Sequence, residues 1–508
     1  MDAEQLKEDV REGRIPVDQL VDQLVDVIVT LQKQLNQARL HIEELERKAG
    51  AAATAKVDEP YSMRAEEQRQ QRRAGAKPKR KAKKRKGRTK TADKVAQAAR
   101  VEKVFPRDVP EESCWLSHTR PVWRLENGQA VLVAYEVYRG PNSQYGQIPG
   151  VLGRSEFAIE IVLAIAYQVY LVGLSFDKVC LLMNFFQNLP LRKSQVDALL
   201  YQLSRVWEGE FDTLCTLLAN SLIVHTDETG WSHNSVWAFL SEKVRLLFFG
   251  VPKDAATLAK ILDPQVFAGM VVSDDAAVYE NFSQSQKCWA HLLRKAIKLT
   301  LLEPATLQYR QFTDRLLEIY RAACRAQSDG RLGDAGRARK VKELDDEIVD
   351  LCLPTWAADL PKSQGPADDY RLLVNEIMRL MLNRQLFTFV TAPAVTTPSG
   401  ARMQAPGTNN EAERTLRNPA GARDTGRTTK TPQGARRRTV NVSVLESLRQ
   451  HLATFTLSTV IAEVRRWQET GVSCFTRLLK KCKLRPKKSQ LTPAEASLLD
   501  ALFPAPSG

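Results

Sequence analysis

The stretch SLIVHTDETGW, residues 221–231, decides how the rest of the chain is read. A short apolar run from Ser221 to Val224 enters a polar, turn-prone cluster at Asp227 and Glu228, with Trp231 close behind. Such a run bounded by turn signals predicts a buried strand, here ending at Asp227. An acid at a strand end is either a solvated turn residue or a metal ligand, so the chain must supply partners. GMVVSDD, residues 269–275, is a second buried strand ending in acid, at Asp274. A third acid, Glu413, lies on the helix predicted from TNNEAERTLRN, residues 408–418. Two aspartates on neighbouring strands and a helical glutamate make an oxygen-only donor set. That set suits two Mg²⁺ or Mn²⁺ ions about 4 Å apart, used for in-line attack at phosphorus. Each acid also has a plainer reading. The aspartates are common turn residues, and Asn410 with Glu413, or Thr408 with Glu411, forms a helix capping box.

Outward from this stretch, the 508 residues are enough for several domains, and Lys plus Arg (74) exceeds Asp plus Glu (59) to give +15. That excess points to a polyanionic partner. The eight cysteines contain no CxxC pair, which predicts a reduced cytosolic chain without disulfides and argues against zinc. The acidic N-terminus reads as lacking a secretory signal. The most apolar segment, residues 157–174, carries Glu160 and Gln168 and reads as a buried helix, so no membrane partner is expected.

Residues 1–49 place Val17, Val21, Leu24, Ile28, Leu31, Leu35, Ala38, Ile42 and Leu45 at alternating spacings of four and three. This is a coiled-coil seam for self-association into a homodimer or larger homo-oligomer. Residues 50–104 form a basic linker in which KPKRKAKKRKGRTK (77–90) offers Lys79, Arg80, Lys81, Lys83, Lys84 and Arg85 to phosphates. Residues 105–152 are β-prone, with a hairpin signal at ENG. Residues 153–219 read as helix–turn–helix, capped by Ser175 and Ser194 and broken at Pro190, as in modules that dock in a major groove. Residues 220–300 have an α/β texture: a hairpin over 235–251, then QKCWAHLL as a strand feeding a basic helix with Arg294. Residues 301–400 are mostly helical, 401–470 return to the α/β part, and 471–508 form a basic tail.

HTDETGW, VVSDDAAVYENF, CWAHLLRKA and TNNEAERTLR occur in that order. Together they resemble the blocks of the insertion-sequence-66 family of bacterial transposases, over roughly residues 155–440. The resemblance implies a multidomain α/β protein with a DDE-type, ribonuclease-H-like catalytic core. An all-α insertion interrupts that core before its last helix. It implies Asp227, Asp274 and Glu413 as ligands of two Mg²⁺ or Mn²⁺ ions, with Asp275 exchangeable for Asp274. It places His291 beside the scissile phosphate. It also implies double-stranded DNA, as element ends and as target, as the partner of Arg294, Arg414, Arg417, Arg423, Arg427, Lys430, Arg436, Arg437 and Arg438. Small helper proteins encoded alongside, and a cytoplasmic, nucleoid-associated location, come with the resemblance. The family's N-terminal zinc module survives here only as Cys114 and His118, so residues 105–152 read as a degenerate, zinc-free relative. Cutting and joining of an insertion sequence is the leading expectation. A catalytically inactive, oligomeric DNA-binding regulator and a nuclease that hydrolyses without joining are the alternatives.

Overall fold

The turn signal at Asn127 and Gly128 closes the hairpin it predicts, with positive φ at both residues (50° and 79°). This is the mirror-image turn whose twist matches its flanking strands. The computed structural model describes residues 89–508, apart from 233, 357–364, 397–399, 401, 485–496 and 505–508. The coiled-coil segment and the basic run from Lys79 to Arg85 lie outside the described residues.

The hairpin belongs to a three-stranded sheet of β1 (Arg100–Val104), β2 (Trp115–Glu126) and β3 (Gln129–Arg139), in the order β1–β3–β2. The β-rich region therefore begins at Arg100, inside the expected linker, because RVEKV pairs in parallel with β3. Cys114 bonds to the Pro110 carbonyl and His118 lies beside Ser117. The apolar segment forms α1 (Ile159–Ala166), which continues as a wider turn through Leu171. Its Glu160 is buried, and Arg124 of β2 and Arg465 neutralise it at 2.9 and 3.1 Å. No described helix is long and apolar enough to cross a membrane.

α2 (Phe176–Gln187) is capped by Ser175, whose hydroxyl accepts the Lys178 N–H. α3 (Lys193–Ala219) starts one residue before Ser194, so Ser194 is not its cap; Gln195 instead accepts the Arg192 N–H. α3 buries Val196, Leu200, Leu203, Trp207, Phe211 and Leu214 along its length. It is thus a core helix over 27 residues.

A five-stranded sheet lies at the centre: β4 (Ile223–Trp231), β5 (Asn234–Ser241), β6 (Arg245–Val251), β7 (Met270–Ser273) and β8 (Ser285–Lys287). Its order is β6–β5–β4–β7–β8. The first three strands are antiparallel, and β7 and β8 join in parallel. β4 does not end at Asp227. It stays paired with β5 as far as Trp231 and Asn234, whereas its parallel ladder with β7 stops at His225 and Val272. Alternation along β4 and β7 serves two cores. Val224 and Val271 face the core built with α3, while Ile223, Met270 and Val272 face the other.

The edge strand β6 is covered by the helix Pro432–His451 through side-chain hydroxyls. Thr439, Ser443 and Ser447, spaced by four, accept the backbone N–H groups of Phe249, Leu247 and Arg245 at 3.0, 3.0 and 3.1 Å. This satisfies the open edge that would otherwise recruit another strand.

The short helix α4 (Ala255–Ile261) leads into β7 past Gly269. A Cβ at Gly269 would lie 2.6 Å from the Ser221 carbonyl oxygen and 2.9 Å from that of Leu222. These are backbone atoms just before β4, so they cannot rotate away. Gly269→Ala is expected to lower stability by about 1–3 kcal/mol and to shift β7, with Asp274, relative to β4. Thermal melting together with a DNA-cleavage assay checks both effects; a variant with wild-type melting would refute the close approach.

After β8 comes α5 (Trp289–Leu302), five residues earlier than the helix expected at Arg294. β8 supplies only three ladder pairs, and the Trp289 indole is already anchored to the Leu386 carbonyl at 2.7 Å. α6 (Leu307–Ser328), α7 (Asp334–Trp356) and α8 (Pro366–Leu382) form the helical insertion. Phe312, Leu316, Ile348, Val374 and Ile377 share one buried core there with Trp289. A two-residue ladder, Val395–Thr396 with Arg402–Met403, closes the insertion. The chain then returns through α9 (Asn410–Asp424), α10 (Pro432–His451), α11 (Leu457–Thr470) and α12 (Cys474–Lys481). All described residues fall in one unit, Gly87–Gly508.

Candidate carboxylate site

His225 of β4 and Val272 of β7 are the last paired residues of their parallel ladder. Asp227 and Asp274 each follow two residues later, close enough that the charges of Asp274 and of Glu413 on α9 act on Asp227. Asp227 takes its one hydrogen bond from the adjacent Glu228 N–H, at 2.9 Å, and has no cationic partner among the described residues. Burial, reinforced by the charges of Glu228, Asp274 and Glu413, pushes the Asp227 carboxyl up to about 7. The third acid, Glu413, sits in the first turn of α9. It accepts from Arg294 at 2.7 Å, and His291 Nδ1 lies 3.6 Å away. The structure thus brings Asp227, Asp274, Glu413 and His291 around one region.

Neither capping box forms. Asn410 is the first helical residue, with Asn409 at the cap position and no side-chain cap bond. Glu411 turns away to pair with Arg245 of β6. Glu413 pairs with Arg294 rather than with Arg417 one turn along. Asp274 and Asp275 are also separated in role. Asp275 is tied to Arg379 of the insertion helix α8, while Asp274 accepts the Ala276 N–H at 3.2 Å and adds to the field at Asp227. Glu228 does not shape a turn. Its side chain, 2% exposed, points to the opposite face and meets Lys253 and the Tyr279 hydroxyl.

Three positioning groups were missed in the sequence. Asn409 is completely buried. Its amide donates to the Thr226 carbonyl at 2.8 Å, its Oδ1 meets His225 Nδ1 at 3.3 Å, and its backbone N–H points to Cys288 Sγ at 3.1 Å. One residue therefore fastens α9 to β4 and to the start of α5. Lys287, 1% exposed, donates to the Asp274 carbonyl at 3.0 Å and to Ser273 Oγ at 3.2 Å; burial pulls its ammonium down. Arg379 is the third. Only the doubled asparagine before EAER was a signal in the sequence.

Cys288, His291 and Glu413 also place one ligand atom each within 4.8 Å of one another. This Cys-x₂-His spacing contains no cysteine pair and so carries no zinc signal in the sequence. Cys288 is buried, and that burial raises its thiol. It acts as a neutral acceptor for Asn409, which leaves carboxylate oxygens as the charged donors. Asp274, Asp275, His291 and Arg379 line a cleft of about 580 Å³ between the carboxylates and the insertion.

The cations expected at DNA divide into two groups. Arg414, Arg417, Arg423, Arg427 and Lys430 are exposed along α9 and the loop after it. Arg436, Arg437 and Arg438 are engaged inside the fold, contrary to a simple exposed basic stripe. Arg436 pairs with Glu208 and Asp500, Arg437 with Asp197, and Arg438 lies 4.9 Å over the Trp231 ring. Trp231 is a core residue that donates to Thr429 at 2.8 Å.

Acids gathered where a parallel ladder ends on a mixed sheet, closed by a helical glutamate, define an α/β protein with a charge-rich carboxylate site. Residues 155–437 match the family model described as Transposase IS66 family, and the chain belongs to that family. A transposase role follows from that membership. No curated protein matches the chain.

Proposed function

We propose that this protein cuts and joins DNA as a DDE transposase, on a ribonuclease-H-like core formed by the five-stranded sheet, α5, α9 and α10. The observation that carries this reading is Asp227: a half-buried carboxyl without a cation among the described residues, raised to about 7 by its burial and by the charges of three neighbouring acids. Such a cluster fits divalent cations held by Asp227, Asp274 and Glu413. Bound Mg²⁺ or Mn²⁺ would activate the attacking oxygen and stabilise the leaving oxygen. The chain's own groups do the rest. Asn409 fixes Glu413 against β4, and Arg294 holds the glutamate's Oε1, with His291 Nδ1 3.6 Å from it, until DNA arrives. They then turn to the scissile phosphate. Arg414, Arg417, Arg423, Arg427 and Lys430 bind the neighbouring backbone. Water attack frees a 3′-hydroxyl, which attacks target DNA in a second phosphoryl transfer. Dimerisation through residues 1–49 pairs the element ends, in the cytoplasm at the nucleoid, with or without helper proteins.

The test incubates full-length protein with labelled DNA carrying the element's ends and Mn²⁺ or Mg²⁺. Metal-dependent nicking at the ends and joined products are expected. Binding without cleavage, with any helper proteins supplied, favours the inactive regulator, and cleavage without joined products favours a nuclease.

A further inference from the structure

A cavity of about 310 Å³ lies between the start of α2 and the start of α10. Among the described residues Arg427, Lys430, Arg437 and Arg438 line it, and no acidic residue does. Arg437 has a counter-charge in Asp197. Arg438 has none. Its guanidinium is held by the rings of Trp231, Phe249 and Tyr170 at 4.9, 5.0 and 5.9 Å, and its buried Nε has no hydrogen-bond partner. A guanidinium removed from water normally meets a carboxylate or another anion, because aromatic faces replace only part of its hydration. Both helices that begin here are long, 12 and 20 residues. Ser175 and Thr431 cap them, so their positive ends add to the same field.

We propose that this cavity takes a backbone phosphate of the bound DNA strand, with Arg438 as its inner anchor and Lys430 and Arg427 at its rim. The inference rests on the DNA-processing reading above and adds a second contact point to it. Trp231, whose ring lies beneath Arg438, is four residues beyond Asp227 on β4, about 13 Å along the strand. The site therefore holds a phosphate a few nucleotides from the one being cut and sets the strand's register on the carboxylates. Its interior placement makes the contact specific to a strand threaded past α2, whereas exposed arginines accept any approach.

The experiment measures DNA binding by full-length protein in EDTA, by fluorescence anisotropy, as a function of KCl. Wild type is compared with Lys430→Ala, Arg438→Gln and the remote surface control Lys260→Ala, on one labelled single-stranded oligonucleotide and its duplex. Losing one phosphate contact should reduce the slope of log K against log [KCl] by about one. That reduction is expected for Lys430→Ala and Arg438→Gln and not for Lys260→Ala. Circular dichroism identifies an unfolded Arg438→Gln; Lys430 is exposed, so its variant then carries the test together with Arg427→Gln. Unchanged slopes in the folded cavity variants overturn the proposal. So does a cavity that is stabilised by inorganic phosphate alone while the DNA slopes stay fixed. Because no divalent cation is present, the result is independent of catalysis. Altered slopes without any cleavage activity leave this site standing and remove the DDE reading, and the converse removes only the site.

Discussion

Asp227→Asn is expected to abolish DNA cleavage and, in the absence of divalent cations, to make the protein more stable. The two effects share one cause. Asp227 lies where the β4–β7 ladder ends, with Glu228, Asp274 and Glu413 around it and no cation of its own. Losing a ligand to the metal pair should cost about 10³-fold or more in rate, or about 4 kcal/mol of barrier. The stability effect follows from linkage. The carboxyl is raised from 3.8 to about 7 in the folded chain, so the folded state keeps a proton that the unfolded state releases. That contribution is complete below about pH 4 and is lost as pH rises through about 7. An asparagine never ionises and escapes the loss. The variant's melting temperature in EDTA should therefore exceed that of wild type increasingly from about pH 4 to pH 7 and by a steady margin above. A margin of about 1–2 kcal/mol is reasonable for a partly exposed group. Mn²⁺ should then stabilise wild type and leave the variant unmoved. Retained cleavage, or a variant that melts below wild type at pH 8, would remove Asp227 from the metal site.

The sequence made the order of acids legible, and the structure shows why their surroundings were not. Apolar runs ending at Asp227 and Asp274 mark buried strands because burial is written in local hydrophobicity. The end of β4 was misplaced because an antiparallel partner, β5, carries the strand on to Trp231 where β7 has stopped. Pairing of that kind is not local. The basic residues from Arg414 to Arg438 read as one stripe, because composition cannot tell an exposed Arg417 from an Arg438 enclosed by three rings. The hydroxyls of Thr439, Ser443 and Ser447 were in view at a spacing of four, but their role depends on an edge strand nearly two hundred residues earlier. Asn409 was passed over for Asn410, since local capping rules favour a helix-start reading, and its real partners lie on β4 and α5.

Asn409→Ala should damage the site without touching a ligand. The residue is fully buried and makes three bonds, to Thr226, His225 and Cys288, and two of them end on β4 beside Asp227. Alanine keeps the backbone bond to the thiol and removes the other two. A buried carbonyl and a buried imidazole are then left unpaired, at about 1–3 kcal/mol for an unsatisfied group. The melting temperature should fall by a few degrees. A purely structural role would end there. A positioning role goes further, because Asn409 fixes the first turn of α9 and hence the distance from Glu413 to Asp227. A displacement of about 1 Å at a reacting centre costs on the order of 10²-fold. Cleavage by Asn409→Ala should drop by about that factor, and the Mn²⁺ concentration giving half-maximal rate should rise, while metal-free DNA binding stays at the wild-type level. Leu316→Ala, a core truncation in the insertion, supplies the comparison. It should lower the melting temperature at least as much, and its metal requirement should not move. If the two variants shift the Mn²⁺ requirement equally, Asn409 is a stability residue and the geometry of Glu413 is set elsewhere.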